Sequence, residues 1–106
     1  MFEVAELSFQ AIRALRPVVQ RLKGRNRSLA DQLERAATSI ALNIAEGEHS
    51  DPGNRRARFF TAKGSASESL AALRAAVDWG HVSADEAEAR REILQRIVPM
   101  LWKLIH

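Results

Sequence analysis

An all-α fold, an up-down-up-down antiparallel four-helix bundle, is what this sequence predicts, and three observations predict it. Apolar residues recur at helical spacing in four segments, each about 20 residues long. Ala, Leu, Arg and Glu dominate, with only 5 Gly and 3 Pro, a composition that favours helix over strand. The breaks between segments span only a few residues, which forces neighbouring helices to run antiparallel. At 106 residues the chain reads as a single domain, 1–106, with one core.

The first helix runs from about Val4 to Leu22, with Val4, Leu7, Ala11, Ala14, Leu15, Val18 and Leu22 on one stripe. Pro17 lies inside it and is expected to bend it, because proline lacks the N–H and crowds the preceding turn. Gly24 to Arg27 is the first break. Ser28 reads as the N-cap of the second helix, with Asp31 favouring its positive end. That helix carries Leu29, Leu33, Ala36, Ala37, Ile40, Ala41 and Ile44 inward and is expected to stop at Gly47. Glu48 to Asn54 is rich in turn formers and reads as a loop.

The third helix, about Arg55 to Trp79, has Phe59, Ala62, Ala66, Leu70, Leu73 and Val77 as its core stripe. Gly64, Glu68, Ala71 and Ala75 lie nearly opposite, on a face where small residues admit a second helix. Gly80 closes the helix, and Ser83 with Glu86 makes a capping box for the fourth. That last helix reaches about Leu104 with Ile93, Leu94, Ile97, Val98, Leu101, Leu104 and Ile105 as a wide apolar face, and Pro99 is expected to bend it.

Charge is distributed in blocks. Residues 13–27 hold six cations and no acid: Arg13, Arg16, Arg21, Lys23, Arg25 and Arg27. Residues 55–63 hold Arg55, Arg56, Arg58 and Lys63, again without an acid, while the intervening stretches are acidic. Thirteen of the 16 cations are Arg, which suits phosphate better than Lys does. In the bundle the two blocks fall at opposite ends, as two contact points for RNA or DNA; the alternative is a salt-bridged surface on a purely structural or protein-interaction module. Phe59 belongs to the core stripe. Phe60, turned about 100° away, is the better candidate for an interface or for stacking on a single strand. Trp79 and Trp102, near helix ends, read as packing or subunit-contact residues.

Enzyme classes find little support. Without Cys there is no thiol chemistry, thiolate metal site or disulfide. Glu46–His49 and Asp78–His81 share a spacing with di-iron ligands, but they fall at opposite bundle ends and straddle glycines, so no metal is expected. No Gly-rich phosphate loop or nucleophile elbow is present, and neither a catalytic residue nor a cofactor is expected. Without an apolar run near 18 residues or a leader, no membrane contact is expected and a cytoplasmic location is the default.

The stretch LERAATSIALNIAEG (Leu33 to Gly47), followed by FFTAKGSASESL (Phe59 to Leu70), resembles the bacterial four-helix bundle family first found in intervening sequences of 23S ribosomal RNA genes. Arg35, Ala36, Ser39, Ile40, Asn43, Ile44, Ala45, Glu46 and Gly47 fit that family's first motif, and Gly64, Ser65 and Glu68 fit its second. The resemblance implies a four-helix bundle, a homopentamer, and no catalytic activity. That family is similar in turn to the accessory protein of diversity-generating retroelements, which implies RNA or DNA and a reverse transcriptase as partners. Two departures stand out: the segment before helix 2 reads GRNRSLA, and helix 1 has only Phe2 and Phe9 as aromatics. Physically, Gly64 and Ser65 leave room for Asn43 and Glu46 to approach from the adjacent helix or a second subunit. Glu46 is expected to accept from Ser65 or a cation, and Glu68 to pair with Arg35. The set is read as specifying register and assembly, since buried polar groups must be matched.

Overall fold

The computed structural model describes residues 3–106; Phe2 lies outside the described residues. Four helices follow in order: α1 (Glu3–Lys23), α2 (Arg27–Glu48), α3 (Pro52–Asp78) and α4 (Ala84–Ile105). They form an antiparallel bundle of 42 × 22 × 19 Å. Each helix packs on its two chain or ring neighbours, α1 on α2 and α4, and α3 on α2 and α4. The α2–α3 seam is the most extensive and the α1–α4 seam the least.

The core follows the apolar periodicity. Leu15, Val18, Leu22, Leu33, Ile40, Ile44, Phe59, Leu73, Leu94, Ile97 and Leu101 are fully buried. Leu70 and Val77, expected on the α3 stripe, are half-buried at its edge, and Leu104 is exposed. Val19 and Ser8 are buried as well. Ser8 is accommodated because its hydroxyl donates to the Ala5 carbonyl at 2.6 Å, so the core holds no orphaned oxygen there. Helix α1 continues unbroken through Pro17, and α4 through Pro99; both prolines face solvent.

Three helix ends differ from the sequence expectation. Asn26, not Ser28, caps α2: its side-chain oxygen accepts from the Leu29 N–H at 3.0 Å, which places Ser28 within the first turn. Gly47 does not end α2, which continues through Glu48 to a cap at His49. Gly47 is buried against Phe59, and a Cβ there would lie 2.5 Å from a ring carbon, so the glycine serves close packing rather than a turn. The 48–54 loop is also shorter than expected. Asp51 caps α3, its carboxylate accepting from the Asn54 N–H at 3.1 Å, and Pro52 opens the helix. The Ser83 cap of α4 stands as expected, accepting from the Glu86 N–H at 3.1 Å. Gly80 takes the left-handed conformation, φ 78°, in the α3–α4 turn.

Candidate nucleic-acid interface

Antiparallel packing brings the α1–α2 turn beside the α3–α4 turn. The Arg25 guanidinium donates to the His81 carbonyl at 2.6 Å, and Arg21 pairs with Glu86 across the same end. The first basic block therefore runs from the middle of α1, at Arg13, to this end, and the second begins at the other, along the first turns of α3.

The first block opens onto a groove. Between α1 and α2 a depression of about 430 Å³ is lined by Arg13, Arg16, Lys23, Gln20 and Thr38 at its walls, over an apolar floor of Ile12, Leu15, Val19 and Ala37. Of the block's cations, Arg13 meets Glu6 at 3.3 Å and Lys23 meets Glu34 at 3.9 Å, both loose exposed pairs of the kind worth little in water. Among the described residues Arg16 and Arg27 have no ion pair or hydrogen-bond partner. The groove thus holds three cations against one acid, Glu34. Gln20 and Thr38 escaped the sequence reading because neither carries charge; only the groove brings them in.

The second block is put to different use. Arg55 donates to the carbonyls of Gly47 and Glu48, both at 3.2 Å, satisfying the end of α2. Arg58 pairs with Glu46 at 3.0 Å, which realises the basic partner expected for Glu46. Arg56 is exposed, and Lys63, half-buried, holds its ammonium 5.9 Å from the centre of the Phe60 ring. Phe60 is 63% exposed, as its angle on the helix requires.

The motif polar residues form a seam between α2 and α3. Ser39 and Ser65 hydroxyls meet at 2.8 Å, and the Asn43 amide donates to the Ser39 carbonyl and hydroxyl at 2.9 and 3.0 Å. Ser65 therefore reaches Ser39, with Asn43 holding Ser39, rather than meeting Asn43 or Glu46 itself. Ser39, present in the first motif, was the signal for this contact. Glu68 does not pair with Arg35. Both are exposed without a partner among the described residues, and a Cβ at Gly64 would meet nothing within 4 Å. Leu42, seven residues after Arg35 and so on the same side of α2, is exposed as well, as is Gly64, four residues before Glu68 on α3.

The enzyme constellations do not assemble. Glu46 is held by Arg58 and Asp78 by Arg74 at 3.1 Å, on opposite ends of the bundle. Among the described residues no group of three or more acids and histidines is placed to hold a metal ion. No described helix is long and apolar enough to cross a membrane.

Such features define a class: a ring-packed helical bundle with a polar seam on one side and an Arg-lined groove on another. The chain belongs to the 23S rRNA-intervening sequence protein family, whose model matches residues 2–103. It is also similar to a solved protein of unknown function from the S23 ribosomal protein family of Bacteroides thetaiotaomicron. The two are 19% identical, with a TM-score of 0.90 over 96% of this chain and 97% of the other. At that identity the likeness establishes the fold. No curated protein matches the chain.

Proposed function

We propose that this protein is a non-enzymatic, homo-oligomeric bundle that binds RNA or DNA through the α1–α2 groove. One observation carries the reading: Arg13, Arg16 and Lys23 converge on a single depression whose walls hold one acid. Convergent cations with weak exposed partners release counterions when phosphates arrive, and that release drives binding. The assembly half of the reading has its own support, in the outward face of α2 and α3. There Leu42 is 56% exposed, Arg35 and Glu68 carry opposite charges without partners among the described residues, and Gly64 leaves the surface open. A second copy placing Glu68 beside Arg35 would satisfy both charges and cover Leu42. The family resemblance makes a homopentamer the expected form, with a reverse transcriptase as a further candidate partner.

Light scattering with and without labelled RNA reads both halves together. The expected result is a defined oligomer that gains RNA mass at low salt. Arg13→Glu with Arg16→Glu should weaken binding more than tenfold and flatten the salt dependence by about 0.7–0.9 in slope for each phosphate no longer neutralised. Unchanged affinity in that variant would overturn the groove. Glu68→Ala with the parent's oligomer mass would overturn the role given to Glu68 in assembly.

A further inference from the structure

One acid stands among the cations of the α1–α2 groove. Glu34 faces it from α2, and its carboxylate lies 3.9 Å from the Lys23 ammonium on α1. Among the described residues this is the one ion pair that joins the two walls. Both side chains stay in contact with water, Lys23 at 39% and Glu34 at 53% exposure. A pair so long and so wet contributes little to holding α1 on α2 and opens at little cost. Fold stability therefore does not account for an acid at this place.

The two ends of the groove differ in what occupies their cations. Arg13 and Arg16 precede Lys23 by ten and seven residues, about 15 and 10 Å along the helix. Arg16 lines the groove without an ion pair or hydrogen-bond partner among the described residues. Arg13 meets Glu6, which does not line the groove, through one terminal nitrogen, and the rest of its fork is left to a ligand. Lys23 has a single ammonium, and the acid beside it belongs to the groove itself.

A phosphate that meets Arg16 finds an unoccupied cation, and its condensed counterion is released. At Lys23 a phosphate has to displace the Glu34 carboxylate, which then draws a cation from solution. Release and uptake balance, so this contact adds next to nothing to the salt-dependent drive. The freed carboxylate also stays beside the phosphate and repels it.

We infer that Glu34 is a built-in competitor of the nucleic-acid phosphate for Lys23, confining phosphate contacts to the Arg13–Arg16 end of the groove. This inference rests on the groove reading and adds the residue that limits the footprint. Glu34 makes the groove selective rather than strong. It weakens most a polyanion that presses a continuous row of phosphates along the whole groove. A strand that sets its phosphates on Arg13 and Arg16 alone loses least.

The parent, Glu34→Gln, Lys23→Gln and the double variant can each be titrated with a labelled oligo-uridine over a series of salt concentrations. Glu34→Gln is expected to bind roughly three- to tenfold tighter at low salt, the size of one charge–charge contact in water. Its salt slope should steepen by about 0.7, one more phosphate neutralised on a single strand. Lys23→Gln should leave the parent's slope unchanged, yet lower the slope of Glu34→Gln by about 0.7. Melting temperatures should stay within about a degree of the parent's, which separates competition from folding. Equal slope changes on Lys23→Gln with and without Glu34 would mean two independent charges and overturn the competition. If Glu34→Gln binds no tighter while Arg13→Glu with Arg16→Glu loses binding, Glu34 does not compete and the groove stands. If neither Glu34→Gln nor Arg13→Glu with Arg16→Glu alters affinity, the groove reading fails, and this inference with it.

Discussion

The two basic blocks look alike along the chain and behave differently in the fold. Both are Arg-rich and free of acids over their length. The first keeps Arg16 and Arg27 without partners among the described residues and sends Arg13, Arg16 and Lys23 to one groove. The second spends Arg55 on the last carbonyls of α2 and Arg58 on Glu46. A run of like charge therefore says little about its purpose until the acceptors near it are known. Where a helix end supplies unsatisfied carbonyls, arginine becomes part of the architecture. Where the seam with a neighbouring helix leaves a depression over an apolar floor, it remains available to a ligand.

If the second block sits on a structural corner, that corner should be the sensitive one to unfolding. Phe59→Ala removes a fully buried ring from the point where α3 meets Gly47. We expect a loss of about 3–5 kcal/mol in urea unfolding. Gly47→Ala tests the same contact from the other side. Alanine normally gains roughly 1 kcal/mol over glycine inside a helix. Here the added methyl meets a ring that has no room to move, and a net loss of about 1–2 kcal/mol is expected. A stabilised variant would show that the corner is softer than its geometry.

A paired experiment sharpens the contrast between the blocks directly. Arg13→Ser with Arg16→Ser should weaken RNA binding several-fold and leave the melting temperature within about a degree, because surface ion pairs contribute little. Arg55→Ser with Arg58→Ser should do the reverse, lowering the melting temperature while RNA affinity changes less. If both doubles lose RNA binding equally, the division between the blocks is wrong.

The smallest effect is expected from acid. The Asn54 backbone N–H, followed by its side chain, holds the Asp51 carboxyl below its ordinary value. A lowered value in the folded state means that this cap supports the fold fully above the ordinary carboxylate range and loses that support as pH falls through the lowered one. Asp51→Asn keeps a capping oxygen without the charge, so its stability should be flatter than the parent's over that acid window. A parallel pair of pH–stability curves would remove the cap from the account.

Much of this architecture was legible because apolar spacing is a strong signal in long helices. Ile40, Ile44, Leu94 and Leu101 went to the core as their periodicity required. Helix ends were harder for a specific reason. The GRNRS segment contains several residues able to cap, and only the fold decides that Asn26 reaches the Leu29 N–H. Asp51–Pro52 was a legible start signal, a capping acid before a proline at the first helical position, yet the surrounding turn formers masked it. Gly47 misled because a glycine late in a helix pattern reads equally as a stop or as a place where something comes close. Telling the two apart requires knowing that Phe59 crosses there. The site was less legible still. Arg21 and Glu86 lie 65 residues apart in sequence, and the groove that unites Arg13 with Thr38 exists only once α1 lies on α2. Glu68 and Arg35 do not meet, and both are exposed; charge complementarity in the sequence carries no information on which pairs the helix faces bring together.

Helix α3 carries alanine at 57, 62, 66, 71, 72, 75 and 76, so much of its surface is small-sided and by itself sets little resistance to sliding or turning against α2. Two contacts at different heights resist both. The Phe59 ring seats where α2 has no side chain, and six residues along, Ser65 finds Ser39. One contact alone permits rotation about itself; two at different heights act like the teeth of a key. They set phase and pitch at once, and so keep every outward residue of α3, from Phe60 to Trp79, at a fixed compass bearing.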